Sequence, residues 1–191
     1  SLVAAMIQSS QSSLPDLKNW ALKYIQEQIV RGERPCLSAL DKKFGNLWSF
    51  EHQKNAEQSV VFRKWLRNLF ELEFLRSLIL ERNNFEILIL GPQKLFTDRG
   101  LGISLRAENT DHCYEYLNTE ELNLALELWC QRSGQVWNYN RPFLSFESEL
   151  FTERFRATLI HQSLAPDESH RLFLRRLGDI PLKAESIIEP N

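Results

Sequence analysis

The apolar spacing of this chain changes at Asn83-Asn84, and that change most constrains the fold. Upstream, Leu17, Ala21, Ile25 and Ile29 recur on one helical face behind Ser13 and Pro15, and Gly32 closes the run. The spacing predicts a helix over about residues 14–31. A short helix over 37–44 should stop at Gly45, and a third begins near Ala56 with Val60, Val61, Trp65, Leu66, Leu69 and Phe70 as its stripe. Leu72, Leu75, Leu78 and Ile79 keep a helical spacing until the two asparagines break it.

Downstream the period becomes that of strands. Phe85–Leu90 ends in Gly91-Pro92, Lys94–Asp98 ends in Arg99-Gly100, and Ile103, Leu105 and Ala107 alternate with polar neighbours. These predict three successive antiparallel strands. Asn118 with Glu121 has the form of a capping box, followed by the helical stripe Leu122, Ala125, Leu126 and Trp129 and a stop at Gly134. Three further strands are expected at Phe143–Ser148, Phe151–Ile160 and Arg171–Leu177. The resulting class is α+β: helices over 1–83, then over 84–178 an antiparallel sheet of three strands, a helix and three strands, the helix covering one face of the sheet. Residues 179–191, with two prolines, read as a linker.

Composition narrows function. No stretch approaches the roughly 18–20 apolar residues of a membrane span, and Ser1–Ser13 lacks a basic-then-apolar leader pattern. Three cysteines (Cys36, Cys113, Cys130) at unpaired spacing fit reduced thiols, hence a cytoplasmic setting. A net charge of −2 argues against a nucleic-acid partner. Arg63, Lys64 and Arg67 read as a solvated helix face.

A phosphate-cradling loop needs glycines for close backbone approach and a following lysine, and no glycine here precedes a lysine. The chain therefore carries no complete nucleotide-hydrolysis site. Asp111, His112 and Cys113 are adjacent, so their side chains diverge and no metal is expected there. Cys130 reads as a core thiol, His161 and His170 as surface or hydrogen-bonding residues, and the pairs Glu120-Glu121 and Glu147-Glu149 as surface carboxylates.

Arginine is the more informative residue. On a strand Arg154 and Arg156 share one face, their Cα atoms about 7 Å apart, while Phe155, Ala157 and Leu159 occupy the other. Arg171 and Arg175 likewise share a face, with Arg176 opposite beside Leu172 and Leu174. A guanidinium fork donates two hydrogen bonds at once and suits phosphate; equally, these arginines could pair with Glu147, Glu149 or Glu153.

Several runs resemble a known family. Phe85-Glu-Ile-Leu-Ile-Leu-Gly-Pro followed by Lys94-Leu-Phe-Thr-Asp-Arg-Gly100 is similar to the strand, turn and strand that open the N-terminal domain of type II and type IV secretion ATPases, especially the Tad-pilus branch. Phe155-Arg-Ala-Thr-Leu-Ile, the loop with Leu164-Ala165 and Asp167, and Leu172-Phe-Leu-Arg-Arg-Leu-Gly178 resemble that family's Arg-Val-Asn strand, Pro-Pro-Leu-Ala loop and Ile-Arg-Lys-Phe strand. Leu69-Phe-Glu-Leu-Glu-Phe-Leu resembles the short preceding helix, and Pro181-Leu182 the start of the linker to the motor domain. The resemblance spans roughly residues 65–185.

It implies a regulatory and assembly domain that hydrolyses nothing itself, stacked on a P-loop motor domain that binds ATP and Mg, in a hexameric ring, cytoplasmic and peripheral to the inner membrane, where it meets a membrane platform. By position, Arg156 and Arg175 become the candidates for contact with the nucleotide phosphates, with Arg154 behind them. The departures are Thr158 for the family's Asn, His161-Gln162 for its Pro-Pro, and Leu150-Phe151-Thr152-Glu153 in place of its Asp-Gly turn. A protein-interaction adaptor without nucleotide is the alternative these departures leave open.

Overall fold

The computed structural model describes residues 13–47, 56–105 and 117–178. The expectations for residues 1–12, Ala107, Asp111–Cys113 and the linker 179–191 lie outside the described residues. The described chain forms two compact units, one drawn from Ser1–Phe74 and His112–Arg132, the other from Leu75–Asp111 and Ser133–Asn191.

The first unit is helical. Helix α1 (Leu14–Val30) starts where the sequence asks it to: Ser13 caps Asp16, Asp16 returns the bond to the Ser13 backbone, and Pro15 sits in the first turn. Gly32, at φ 74°, ends it. Helix α2 (Leu37–Leu47) runs past Gly45 rather than stopping there. A glycine ends a helix only where the backbone turns left-handed, and this one does not. Helix α3 (Ala56–Glu71) buries Phe62, Trp65, Leu66, Leu69 and Phe70 and packs against both α1 and α2. Phe62 is the hub, with ring centroids of Phe44, Trp65 and Trp20 at 4.7, 5.8 and 6.4 Å.

Helix α5 (Thr119–Arg132) lies far along the sequence yet packs on α3. Its predicted cap is present: the Glu121 N–H donates to Asn118 Oδ1 at 2.9 Å, and the Asn118 N–H donates to Glu121 Oε2 at 3.2 Å. Glu121 is not the surface carboxylate expected. It is 5% exposed, because the same Oε2 accepts the indole N–H of Trp65 at 3.0 Å.

The expected helical continuation through residues 72–79 is broken. Leu72 turns left-handed at φ 53°, and a 3₁₀ turn (Glu73–Leu75) leads into a separate short helix α4 (Arg76–Leu80). The second unit contains α4 and all six expected strands: β1 (Glu86–Ile89), β2 (Leu95–Asp98), β3 (Ile103–Leu105), β4 (Phe143–Leu150), β5 (Glu153–Ile160) and β6 (Arg171–Arg176). Every pairing is antiparallel and the order is β3-β2-β1-β6-β5-β4, two three-stranded meanders joined where β1 meets β6.

One correction concerns the start of β5. Phe151 and Thr152 are not strand residues but the two-residue hairpin turn between the paired Leu150 and Glu153, at φ 50° and 68°. Both positive φ values mark a type I′ turn, whose handedness matches the strand twist.

The two faces of the sheet differ, as alternation requires. Ile87, Ile89, Leu95, Phe155, Ala157, Leu159, Leu172 and Leu174 are buried on one. The other carries Leu88, Phe96, Phe173, Thr158 and a row of charges.

Candidate anion-binding face

Register assembles the charged row. Asp98 on β2 lies opposite Glu86 on β1, Glu86 opposite Arg175 on β6, Arg175 opposite Arg156 on β5, and Arg156 opposite Glu147 on β4. Directly opposed residues stand about 5 Å apart at Cβ, so Arg156 and Arg175 sit side by side on β5 and β6. Like charges so placed repel, and each is offset by a carboxylate on its outer flank. Arg175 Nε donates to Glu86 Oε1 at 2.8 Å, and Arg156 Nη2 donates to Glu147 Oε1 at 3.1 Å. Arg154, two residues along the same face, donates to the other oxygen of Glu147 at 3.3 Å.

The three expected arginines are thus brought to one surface, with side chains 49%, 75% and 61% exposed for Arg156, Arg175 and Arg154. At that exposure their ion pairs are weak and exchangeable. A guanidinium has five N–H donors and its carboxylate occupies one or two, so each arginine keeps donors for an arriving oxyanion without expelling the flanking acid. Arg156 and Arg175 border a shallow groove of about 270 Å³ whose other walls include Glu86, Leu88, Thr158 and Phe173.

The remaining arginines do other work. Arg171 shares the face with Arg175 but sends its guanidinium to the Leu90 carbonyl and, at 2.9 Å, to Asp167, closing the loop before β6. Arg176, on the buried face as expected, lies over the Phe155 ring at 4.8 Å and donates to Glu153, to the Asn84 carbonyl and to the Ile79 carbonyl.

His161 and His170 fulfil the hydrogen-bonding expectation but not the surface one. Both are buried; the Nδ1 of His161 accepts from the Ser163 N–H at 3.2 Å, and that of His170 from the Gln162 N–H at 2.8 Å. Cys130 is a core thiol, and burial pushes it up to about 12.

Sequence reasoning missed Glu86 as a partner of Arg175, and missed Thr158 and Phe173 as groove walls. Their only prior signal was strand parity, which fixes a face but not the residue opposite. No described helix is long and apolar enough to cross a membrane.

No family model matches the chain, and no curated protein matches it. Among solved structures, the VirB11 ATPase from the Brucella suis type IV secretion system, in complex with sulphate, is similar at a TM-score of 0.48 and 16% identity. The likeness covers 66% of this chain and 35% of that one, so this chain spans about a third of that protein's length.

Proposed function

We propose that this chain is a non-hydrolysing, N-terminal regulatory and assembly domain of a ring-forming secretion or pilus ATPase. In that reading Arg156 and Arg175 present their guanidiniums to the phosphates of a nucleotide held by a separate P-loop motor domain. The supporting observation is their register: two exposed arginines directly opposed on neighbouring strands, beside a groove, at the two positions where the sequence resembles the family's arginines.

The chemistry required is positioning and charge. Phosphoryl transfer spreads negative charge over the equatorial oxygens, and a guanidinium fixed near them stabilises that charge without reorganising. Glu86 and Glu147 would hold the forks in place before the phosphate arrives. ATP and Mg belong in this reading to the motor domain. A hexameric ring, a membrane platform as docking partner, and a cytoplasmic location at the inner membrane complete it.

The test uses the protein with its motor domain. R156A and R175A should each lower kcat at least tenfold, on the order of what removing one transition-state donor costs, with far less effect on nucleotide Kd. Unchanged turnover in both variants would remove the assignment.

A second reading, a protein-interaction adaptor without nucleotide, is favoured by one observation: both guanidiniums already rest on carboxylates of the same sheet. It requires that ATP leave the thermal stability of the chain unchanged.

A further inference from the structure

The order of charges across the four inner strands of the open face is self-complementary. Across all six strands the row reads Ile103, Asp98, Glu86, Arg175, Arg156, Glu147: the inner four are two acids, then two bases, with the change of sign falling between β1 and β6 at the centre of the sheet, and Ile103 and Glu147 stand at its two edges. The next row along the strands reads Phe96, Leu88, Phe173, Thr158, so an apolar pair, Leu88 and Phe173, sits beside the centre of the charged row. Leu88, Phe96 and Phe173 are only half-buried.

A two-fold axis along the strand direction, between β1 and β6, would lay a second copy face to face on this surface. It would carry Glu86 over Arg175 of the other copy, Asp98 over Arg156, and Leu88 over Phe173, each contact occurring twice. This is what an isologous contact demands: residue i meets j, and j meets i. Sheets packed in this aligned manner stand about 10 Å apart, a gap that facing arginine and carboxylate side chains span together.

We propose that this chain associates with a second copy of itself through the open face of its sheet, in a closed two-fold dimer registered by Glu86–Arg175 and Asp98–Arg156 pairs around a Leu88–Phe173 centre. The proposal does not depend on the assignment to a secretion motor; because it engages the same two arginines, a chain in this dimer does not at that moment present them to a nucleotide. A nucleic acid is a poor fit for the same surface, because acids and bases balance along it and a polymer carrying a phosphate at every nucleotide needs an extended basic surface. An extended acidic or basic peptide would find only half of the row complementary.

The test separates contact within a chain from contact between chains. Sedimentation velocity of the 191-residue chain should show a monomer–dimer equilibrium that weakens as salt rises. E86R places like charges opposite Arg175 of the second copy, and R175E places like charges opposite its Glu86. Each should weaken self-association at least about tenfold. An equimolar mixture of the two variants should associate again. In the mixed pair the arginine introduced at position 86 of one chain meets the glutamate introduced at position 175 of the other, and no intrachain effect can be rescued in trans. The double variant E86R/R175E restores both kinds of pair, should dimerise by itself, and controls for folding. Wild-type chain that stays monomeric at high concentration, single variants that dimerise as wild type does, or a mixture that remains monomeric would each overturn the proposal.

Discussion

Arg176 and Glu153 form an ion pair, Nη1 to Oε2 at 3.1 Å, with side chains only 10% and 12% exposed, on the face of the sheet opposite to Arg175. The two neighbouring arginines therefore do different physical work. Arg175, three-quarters exposed, keeps its charge in water. Arg176 has left water, and its guanidinium also ties the carbonyls of Ile79 and Asn84, at and just beyond the end of α4, to β6.

From this asymmetry, R176A should cost about 2–4 kcal/mol, because it leaves the Glu153 carboxylate to Arg82 alone and takes a donor from two carbonyls. R175A should cost under about 1 kcal/mol. Urea unfolding of the two variants measures both; equal losses would show that burial does not separate the two arginines.

That division was half legible in the sequence. Alternation along β6 by itself puts Arg175 and Arg176 on opposite faces, as it puts Arg154 and Arg156 together, because strand parity is a local property of the backbone. What faces each residue is not local. Glu86 lies 89 positions from Arg175 and became its partner through a β1–β6 pairing that closes two meanders on each other. For the same reason the capping box of α5 could be read from Asn118 and Glu121, whereas the burial of Glu121 could not. It depends on Trp65, 56 positions away, presenting its indole N–H from α3. The break at Leu72 was hidden differently: a leucine at positive φ leaves the apolar spacing intact while the backbone stops being helical.

Glu121 supports a second prediction. Its carboxylate serves the α5 cap and the buried Trp65 N–H together. E121A should cost about 2–4 kcal/mol, the loss of a cap plus an unsatisfied buried donor. N118A, which removes only the cap, should cost about 1 kcal/mol. Denaturant midpoints for the two variants test the ranking, and a loss in E121A no larger than in N118A would separate Trp65 from the cap.

The two described cysteines should behave oppositely. Cys36 is exposed and its thiol is held below the usual range by the Ser38 hydroxyl, 3.4 Å from its sulfur. Burial pushes Cys130 up to about 12. Iodoacetamide at neutral pH, followed by peptide mass spectrometry, should label Cys36 in the folded protein and Cys130 only after denaturation. The raised thiol also sets a sign for stability. Above about pH 8.5 the unfolded state releases the Cys130 proton while the folded state keeps it, so this contribution falls by up to about 1.4 kcal/mol per pH unit between the ordinary thiol range and 12. The difference in unfolding free energy between wild type and C130A should shrink over that window. A constant difference would place the thiol in contact with water.

The hairpin ahead of the arginine strand carries a cost that one substitution should relieve. Thr152 sits at φ 68°, a left-handed conformation that crowds a β-branched side chain and that glycine adopts freely. Phe151, at φ 50°, has a compensating contact, since the Arg76 guanidinium lies over its ring at 4.5 Å. T152G removes crowding of about 1–2 kcal/mol and adds somewhat under 1 kcal/mol of unfolded-state entropy, for a net gain of about 0.5–1 kcal/mol. F151G gives up the cation–π contact for the same relief and should gain less. Thermal unfolding of both variants decides: the turn limits the stability of this hairpin if T152G raises Tm and F151G does not match it, and a lowered Tm in T152G would mean that the surrounding strands, rather than the turn residues, set the left-handed geometry.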